Sequence, residues 1–332
     1  MRALVTGGAG FTGAHLVETL LDLKHQVTVL DIAKGDRFVA GRAESRGARL
    51  VIGSVDDESV LQESVPGHDV VFNLASAFRD IHEGSPLFQR VDVEGTRKLL
   101  ACAQRAGVRR VIHCSTQGVH GTLKPTEVPG DEASPIAPID YYCQAKADAE
   151  EVCDEFIADG MDVVKIRPTS IYGPGDTHGW LKLFRTCRKG RFLMLGSGET
   201  LNHPVYVTNL VDALLLAAEV PAARGQTYLI GDARCVTLNE LVRLVGQVQG
   251  VEVSIYRFPW MFPAYLAAWS MEIVSRPLRI EPPIFRRRLT WFTTNRCWRT
   301  SKAEADLGYT PKVGLAEGLR KTLEWYRTEG LL

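Results

Sequence analysis

The chain has 332 residues, of which 45% are hydrophobic and 23% charged, and its formal net charge is zero. This composition is typical of a soluble globular protein with two domains, or with one large α/β unit and an added lobe. Because the chain has no excess of basic residues, a nucleic acid is not expected as a partner.

The first half of the chain alternates short apolar runs with helical patterns. Strands are predicted at 3–6, 27–31, 49–52, 69–73, 110–114 and 162–166, and helices at 11–23, 57–64, 89–106 and 141–159. Short apolar strands separated by helices predict a parallel sheet that is covered on both faces. The predicted fold class is therefore α/β, a Rossmann-type doubly wound parallel sheet.

The pattern changes after Pro168, where the chain becomes richer in proline and aromatic residues. We therefore predict a Rossmann domain over residues 1–174 and a smaller, mixed C-terminal substrate lobe over 175–332. Residues 205–235 could return to the sheet domain. The uncharged stretch 258–271 is too short to span a bilayer and contains Pro259 and Pro263, so a buried or interfacial helix is predicted there.

Seven cysteines are scattered along the chain, and none of them forms a C-x-x-C pair. Their odd number and their spacing give poor support to disulfides or to a metal site, and no metal is expected. The first residues lead directly into a strand and show no apolar signal segment. A cytoplasmic location is expected from these two features.

A glycine-rich turn follows the first predicted strand, in the sequence VTGGAGFTG. Gly7 permits a tight turn, Gly10 lets the backbone approach a pyrophosphate, and Gly13 lets the helix pack against the sheet. The free N–H groups at the start of that helix favour an anion. The turn therefore predicts a bound dinucleotide.

Asp31 ends the next predicted strand, eighteen residues after Gly13. A carboxylate at this point binds ribose hydroxyls and repels a 2′-phosphate, which favours NAD over NADP. Lys34 and Arg37 lie just downstream and would soften this preference. The alternative for Asp31 is a solvated strand end or a helix cap.

Tyr142 and Lys146 stand four residues apart in YYCQAKADAEEVC, which places both side chains on one face of a helix. A nearby ammonium stabilises a phenolate, so the phenol can exchange a proton with a substrate hydroxyl. Ser115 and Thr116 follow the strand at 110–114, and either hydroxyl could polarise the substrate oxygen beside the phenol. An exposed helical pair is the alternative for YxxxK, but the ordered combination with the glycine turn and Asp31 is more specific.

Taken together, these residues resemble the extended short-chain dehydrogenase/reductase superfamily, and within it the NAD-dependent epimerase/dehydratase group. The resemblance covers nearly the whole chain and includes VTGGAGFTG, VDVEGTRKLL, STQGVHG, YCQAK, IRPTSIYGPGD, VYVTNLVDALLLAA and SKAEADLGYTPKVGLAEGLRKTLEWY. It implies a Rossmann domain, bound NAD(H) and a small C-terminal substrate lobe.

The resemblance also implies roles for individual residues. Thr116 would be the active-site hydroxyl, Tyr142 the proton donor or acceptor, and Lys146 the group that supports the phenolate and binds the nicotinamide ribose. Phe11 and Thr12 would present backbone N–H groups to the pyrophosphate. The further candidates are Ser54, Val55, Leu74, Ala75 and Ser76 for the cofactor, and Ser115, Gln117, Ser170 and His203 for the substrate.

Some positions depart from the family pattern at the cofactor and at the reacting centre. Ser54 stands where a carboxylate is common near the adenine, and Asp92 stands where an asparagine is common. Gln117 and Gly118 occupy places that are acidic in the sugar dehydratases and sugar-acid decarboxylases of the family. The resemblance therefore disfavours dehydration and decarboxylation, and hydride transfer or epimerisation remains.

Few of the residues that typically bind a sugar nucleotide in this family are expected here. Ser170 replaces the asparagine that contacts the diphosphate in typical epimerases, and Asn202 and His203 stand near the place of a common arginine. The stretches 205–219 and 257–292 instead resemble the 3β-hydroxysteroid dehydrogenase and 2-alkyl-3-oxoalkanoate reductase branches. The second stretch is rich in aromatic residues and could be core, a dimer surface or an apolar lid.

We therefore predict an NAD-dependent oxidoreductase that transfers a hydride at a secondary alcohol or ketone of a fairly apolar substrate, such as a steroid or a β-hydroxy or 3-oxo acid. The alternatives are a nucleotide-sugar 4-epimerase with tightly bound NAD and a non-catalytic dinucleotide sensor. The resemblance also implies a homodimer formed through the helices at 89–106 and 141–159. The basic run 286–288 beside the apolar stretch leaves open a peripheral contact with a membrane surface.

Overall fold

The computed structural model describes residues 1–32, 46–77, 86–260 and 286–332, together with positions 263, 265, 266, 268–271 and 275. Lys34 and Arg37 lie outside the described residues, and so do positions 261, 262, 264, 267, 272–274 and 276–285 of the aromatic stretch 257–292. The side chains of residues 286–288 also lie outside them.

A seven-stranded parallel sheet forms the centre of the molecule, in the order β11-β6-β5-β4-β1-β2-β3. The described strands are β1 (Arg2–Thr6), β2 (Gln26–Asp31), β3 (Arg49–Ile52), β4 (Val70–Asn73), β5 (Arg110–Cys114), β6 (Val163–Pro168), β7 (Ser170–Tyr172), β8 (Arg191–Leu195), β9 (Leu201–Asn202), β10 (Pro204–Tyr206), β11 (Thr227–Ile230), β12 (Val236–Thr237) and β13 (Ser254–Phe258). The last seven strands include three short two-stranded pairings, β10 with β7, β12 with β9 and β13 with β8.

Helices cover both faces of this sheet. The described α-helices of seven residues or more are α1 (Phe11–Asp22), α2 (Glu58–Ser64), α3 (Gly95–Arg105), α4 (Tyr141–Ala158), α5 (Gly179–Cys187), α6 (Val207–Glu219), α7 (Leu238–Val248), α8 (Arg286–Thr293), α9 (Ser301–Leu307) and α10 (Leu315–Thr328). The predicted α/β Rossmann-type sheet is confirmed, and its strands agree with the prediction to within one or two residues.

Each face of the sheet carries its own apolar core. Leu16 of α1 and Leu214 of α6 are fully buried against one face, and Leu61 of α2, Leu99 of α3 and Val152 of α4 pack against the other. Burying each such side chain contributes about 1.5–3 kcal/mol to folding. Because both faces are covered, the sequence of the strands is almost continuously apolar.

A third core lies in the C-terminal half of the chain. Trp180 and Phe184 of α5 pack there with Leu241 of α7 and with Leu319 and Tyr326 of α10. Residues 227–230, which follow α6, form β11 at the edge of the large sheet next to β6. The chain therefore leaves the sheet after β6 and returns to it once.

The helix predicted at 89–106 has two parts. Residues 89–94 form a π-helical stretch, and the regular α-helix α3 begins at Gly95. A Cβ atom on Gly95 would lie 2.9 Å from a methyl group of Val55, so the helix packs closely on the loop after β3. The wider turn carries Asp92, which is buried, and π-helical turns of this kind occur frequently at functional sites.

A disulfide joins Cys235 and Cys297, which are 62 residues apart in the sequence. The sequence-based expectation that disulfides have poor support is therefore wrong for this pair. The error arose because the two cysteines have no local pattern and meet only after β11 and the segment before α9 have packed together. The other five cysteines are free.

None of the helices in the described part of the chain combines the length and the apolar composition that a bilayer crossing requires.

Candidate active site

The glycine turn lies at the carboxyl end of β1, where the neighbouring strands of the sheet also end. Gly7 has φ +66°, and a Cβ atom there would lie 2.9 Å from the backbone of Leu74. A Cβ atom on Gly13 would lie only 2.2 Å from the carbonyl oxygen of Gly7. Both positions therefore require glycine, one for the turn and one for the close packing of α1 on it.

Helix α1 begins at Phe11 and has no side-chain cap at Gly10. The N–H groups of Phe11, Thr12 and Gly13 are consequently available at the positive end of the helix dipole. A pyrophosphate is the kind of ligand that fits such an end next to a glycine turn. The geometry required by the predicted cofactor is present.

Asp31 lies at the carboxyl end of β2, beside the glycine turn. Its Oδ2 accepts a hydrogen bond from Ala9 N at 3.0 Å, and its Oδ1 accepts one from Ile32 N at 2.8 Å. From its position at the end of β2, the Asp31 carboxylate thus also stabilises the glycine turn. Its predicted contact with a ribose stays a prediction.

A buried hydrogen-bond chain that sequence reasoning missed ties the turn to the rest of the sheet. Thr6 Oγ1 donates to Asn73 Oδ1 at 2.8 Å and accepts from Ala75 N at 3.2 Å. Asn73 Nδ2 in turn donates to Thr96 Oγ1 at 3.1 Å. The one sequence signal for this chain was that Asn73 is a polar residue at the end of an otherwise apolar strand.

The other candidate cofactor residues lie at the carboxyl ends of β3 and β4. Ser54 and Val55 follow β3, and Leu74, Ala75 and Ser76 follow β4. The hydroxyl oxygen of Ser76 is buried and has no hydrogen-bond partner among the described residues. A buried hydroxyl without a partner is unusual in a protein interior and is consistent with a ligand at this edge.

Tyr142 and Lys146 lie in the first turns of α4, which Asp140 caps by accepting a hydrogen bond from Cys143 N at 2.8 Å. The ring of Tyr142 packs 6.2 Å from that of Phe88, centroid to centroid. Lys146 is 2% exposed and donates to the carbonyl oxygen of Cys114 at 3.1 Å. Helix α4 therefore brings Lys146 to the end of β5 and places the ring of Tyr142 beside Phe88.

Asp92 is the buried partner of Lys146. Its Oδ1 lies 3.1 Å from Nζ of Lys146, at an angle that makes the contact an ion pair rather than a hydrogen bond. Its Oδ2 accepts a hydrogen bond from Ala77 N at 3.0 Å. The sequence singled out Asp92 as a departure but did not reveal this pair.

The two hydroxyls that follow β5 point to different partners. Ser115 is 3% exposed and donates to Glu150 Oε1. Thr116 Oγ1 accepts from Gly118 N at 3.1 Å, which leaves the Thr116 hydroxyl proton available for another acceptor. Of the two candidates, Thr116 is the one whose hydroxyl remains available to a substrate.

Glu150 belongs to a buried network behind this loop. It accepts three hydrogen bonds from Arg167, two from Nε at 2.9 and 3.2 Å and one from Nη2 at 2.5 Å. Nη1 of Arg167 lies 2.9 Å from Nε2 of His120, whose Nδ1 lies 2.9 Å from the carbonyl oxygen of Ser134. Burial, together with the charge of Arg167, lowers the pKa of His120, so this histidine is neutral and structural.

Gln117 meets a residue from the far end of the chain. Its Oε1 accepts a hydrogen bond from Trp298 Nε1 at 3.0 Å. The indole ring also packs 4.7 Å from the imidazole of His120, centroid to centroid. The sequence proposed Gln117 for the substrate, but nothing in the pattern near Trp298 indicated its contact with this loop.

The remaining two substrate candidates lie on the side of β7 and β10. Ser170 opens β7 and donates from its backbone N–H to the carbonyl oxygen of His203 at 3.0 Å. His203 is 3% exposed, and its Nε2 donates to the carbonyl oxygen of Asp232 at 2.6 Å. The structure therefore places His203 inside the protein rather than on a surface, while the substrate contacts of both residues stay predictions.

A cavity of about 720 Å³ lies away from this site, where β1 and β2 begin. The arginines that line it are each paired with a carboxylate, Arg2 with Asp69, Arg46 with Asp22 and Arg49 with Glu63. The cavity is at the opposite edge of the sheet from Thr116, so it is not part of the candidate active site.

Relatives of known function align with almost the whole chain. The 4-hydroxy-2-methyl-3-oxo-4-farnesyl-3,4-dihydroquinoline-1-oxide ketoreductase of Stigmatella aurantiaca is 29% identical, and the alignment covers 96% of this chain and 95% of the relative. The 3 beta-hydroxysteroid dehydrogenase/Delta 5-->4-isomerase of Mycobacterium tuberculosis is 32% identical, with 98% and 90% covered. The N-acetyl-alpha-D-glucosaminyl-diphospho-ditrans,octacis-undecaprenol 4-epimerase of Escherichia coli O157:H7 is 27% identical, with 98% and 95% covered.

A solved structure shows the same fold over its full length. The double mutant of DesIV, a dTDP-glucose 4,6-dehydratase from Streptomyces venezuelae that was solved with NAD bound, superposes with a TM-score of 0.79. It is 27% identical, and all of each chain is covered.

The model of the NAD dependent epimerase/dehydratase family matches residues 3–231, which include the glycine turn, Asp31, Thr116 and the Tyr142–Lys146 pair. The relatives are dehydrogenases, epimerases and ketoreductases. The chain therefore belongs to the NAD dependent epimerase/dehydratase family, and it is an enzyme whose cofactor is NAD.

Proposed function

We propose that this enzyme is an oxidoreductase that transfers a hydride at a secondary alcohol or ketone of a fairly apolar substrate. The observation that carries this proposal is the composition of the loop after β5. Residues 115–118 offer two hydroxyls, a carboxamide and a glycine, and contain no carboxyl group that could act as the acid or base of an elimination. With elimination disfavoured, simple hydride transfer is the chemistry that this loop supports best.

The apolar character of the substrate is supported by the relatives. Two of the three relatives described above are named for a hydroxysteroid and for a farnesylated quinoline oxide. Ser170 also offers a weaker contact to a diphosphate than the asparagine that is typical of sugar epimerases. A steroid-like alcohol or a β-hydroxy or 3-oxo acid is therefore the proposed substrate class.

Thr116, Tyr142 and Lys146 would have different roles at the reacting carbon. The Thr116 hydroxyl, whose oxygen already accepts from Gly118 N, donates its proton to the substrate oxygen. Tyr142 takes the proton of the substrate hydroxyl during oxidation and returns it during reduction. Lys146, fixed by Asp92 and the carbonyl oxygen of Cys114, supplies a positive charge on the same helix face as Tyr142.

The glycine turn and the residues at the strand ends would hold the cofactor. Phe11, Thr12 and Gly13 would bind the pyrophosphate through N–H groups, and Asp31 would bind the adenosine ribose. NAD supplies a hydride acceptor when it is bound. Ser54, Val55 and Leu74–Ser76 line the same edge and would contact the adenosine half or the linking phosphates.

NADH formation tests this proposal. The purified enzyme is mixed with excess NAD⁺ and either a 3β-hydroxysteroid or a β-hydroxy acid, and absorbance at the NADH band is followed. We expect NADH to accumulate with one of these classes. We also expect Tyr142→Phe to lower kcat at least a hundredfold while NAD binding is retained. A wild-type enzyme that forms no NADH with either class, yet binds NAD, would contradict the proposal.

A 4-epimerase is the second candidate function, and the epimerase relative from Escherichia coli favours it. The same Thr116, Tyr142 and Lys146 would oxidise and then reduce one carbon of a sugar. This candidate predicts epimerisation of a UDP-sugar without net NADH formation, with NAD retained through purification. Rapid exchange of NAD, together with NADH release, would exclude it.

Four further features are part of the proposal. The NAD-binding domain is assigned to residues 1–174, with 205–235 returning to it, and the substrate lobe to 175–332.

A homodimer formed through α3 and α4 is proposed. Sedimentation at micromolar concentration would contradict this proposal if it showed only monomer. Peripheral contact of the 257–292 segment with a membrane is proposed, and vesicle co-sedimentation tests it. The cytoplasmic location also stays a proposal, although the Cys235–Cys297 disulfide removes the cysteine argument for it.

A further inference from the structure

The segment between α8 and α9 reaches the loop that carries Thr116. Trp298 lies in this segment, is 3% exposed and donates its indole N–H to Gln117 Oε1 at 3.0 Å. The two residues are 181 positions apart in the sequence. The contact therefore connects the C-terminal part of the chain directly to the residue that follows the active-site hydroxyl.

The indole fixes which way the Gln117 amide is turned. An indole nitrogen can only donate, so the carboxamide oxygen must face Trp298. The amide nitrogen then points away from Trp298, has no partner among the described residues and is not among the buried atoms that lack one. Gln117 consequently presents a hydrogen-bond donor on the side away from the indole.

The ring of Trp298 is held firmly on its other sides. It packs against the imidazole of His120, and a Cβ atom on Gly130 would lie 2.7 Å from the ring. The neighbouring backbone pairs with Gly130, since Gly130 N donates to the carbonyl oxygen of Cys297 at 3.0 Å. The residue before Trp298 is Cys297, and its disulfide with Cys235 ties this segment to the loop after β11.

We propose that Trp298, anchored by the Cys235–Cys297 disulfide, is a positioning residue that orients Gln117 as a hydrogen-bond donor to an oxygen of the substrate. The substrate would then carry a second acceptor oxygen near the reacting carbon, as a 3-oxo acid or an oxygenated ring does. This part rests on the proposed function. Reduction of the disulfide releases the anchor.

The reduction step is a thiol–disulfide exchange with a dithiol. The Cys235 Sγ–Cys297 Sγ bond breaks, two electrons and two protons are taken up, two thiols form, and the dithiol closes into its own disulfide. The number of free thiols would rise from five to seven. A thiol count on the denatured enzyme before and after treatment measures this directly.

The first experiment reads the structure without any substrate. Hydrogen exchange of the peptide that contains residues 115–121, and tryptophan fluorescence, are measured before and after treatment with dithiothreitol. We expect faster exchange in that peptide and a change in emission that is absent in Trp298→Phe. A count of seven thiols in the untreated enzyme, or no change in either signal after complete reduction, would overturn the proposal.

The second experiment reads turnover. Trp298→Phe keeps an aromatic ring but removes the donor, and loss of one neutral hydrogen bond predicts a fall in kcat/KM for the ketone of about three- to tenfold. The KM for NAD should not change. Treating the wild type with dithiothreitol should give a similar loss, and treating Trp298→Phe should add little to it, because the two changes act on one contact.

Two controls separate positioning from general damage. Cys235→Ser/Cys297→Ser should resemble the reduced enzyme and should not respond to dithiothreitol. Trp325→Phe, in α10 of the third core, should respond to reduction as the wild type does. Additive effects of reduction and Trp298→Phe on kcat/KM would refute the proposed route through Trp298. If no substrate is turned over, the proposed function and the Gln117–substrate hydrogen bond fail together, while the exchange and fluorescence results still decide whether Trp298 and the disulfide hold Gln117.

Discussion

Lys146 and Asp92 form an ion pair inside the protein, with Nζ 3.1 Å from Oδ1 and both side chains almost fully buried. The two oxygens of Asp92 have different partners, because Oδ1 faces the Lys146 ammonium and Oδ2 accepts a hydrogen bond from Ala77 N. The carboxylate thus fixes the ammonium of the Tyr142–Lys146 pair and also the backbone after β4.

Asp92→Ala should destabilise the enzyme strongly. It would leave the Lys146 ammonium buried without its carboxylate, which typically costs about 3–5 kcal/mol. Asp92→Asn should cost less, because its single carboxamide oxygen can still accept from Lys146 or from Ala77 N, though not from both. Urea unfolding at pH 7 measures both variants, and equal losses for alanine and asparagine would show that the remaining carboxamide contributes nothing and that the missing charge accounts for the whole loss.

Substitutions of Ser115 and of Thr116 should have very different effects on kcat/KM. The Ser115 hydroxyl donates to Glu150, so Ser115→Ala should keep kcat/KM within about threefold while losing about 1 kcal/mol of stability. Thr116→Val removes the hydroxyl that is available to the substrate and should lower kcat/KM by about 10²- to 10³-fold. Steady-state kinetics on the substrate that forms NADH checks this, and a larger loss for Ser115→Ala than for Thr116→Val would reverse the assignment.

Gly13→Ala should weaken both folding and NAD binding. The added methyl group would meet the carbonyl oxygen of Gly7 at 2.2 Å, so α1 must shift away from the turn, at a cost of about 1–3 kcal/mol. Gly179→Ala is the matched control, since its Cβ meets nothing within 4 Å and it begins α5. That control should be neutral or stabilising by up to about 1 kcal/mol. Unfolding and NAD titration are measured on both, and unchanged NAD binding in Gly13→Ala would contradict the assigned role of the turn.

Asp232 should make the enzyme less stable as the pH rises. Burial raises its pKa from 3.8 to about 6, although Asn209 Nδ2 and Tyr206 N both donate to it. The folded state therefore favours the protonated form. The resulting stability is fully present below the unfolded pKa and is lost as the pH rises through about 6.

Asp232→Asn removes this titration. Relative to the wild type, the variant should gain about 2–3 kcal/mol of stability between pH 4 and pH 8. Asp57→Asn should change in the opposite direction, because hydrogen bonds from Ser59 lower the pKa of Asp57 and its stabilising effect is lost only as the pH falls. Urea unfolding at pH 4 and pH 8 measures the change for Asp232→Asn. The change for Asp57→Asn needs a comparison of pH 4 with a lower pH, because the pKa of Asp57 lies below its usual 3.8. A pH-independent difference between Asp232→Asn and the wild type would show that this carboxyl is not perturbed.

Six of the seven strands of the large sheet, and the order of the motifs at their ends, follow from local sequence patterns. Period and composition are local properties, so β1, the glycine turn and α1 can be read from neighbouring residues, and i, i+4 spacing already places Tyr142 and Lys146 on one helix face. Parallel strands then bring Gly7, Asp31 and Thr116 to one edge without further information.

Which side chains meet around that edge depends instead on how the whole chain packs. The Trp298–Gln117 hydrogen bond, the Cys235–Cys297 disulfide and the Asp92–Lys146 pair each join residues that are more than fifty positions apart. No local pattern encodes such contacts, because they depend on how separate elements pack and on which buried polar atom finds a partner. Strand position alone left Ser115 and Thr116 both open, and the resemblance favoured Thr116; the hydrogen bonds of the two hydroxyls became visible only with Glu150 and Gly118 N beside them.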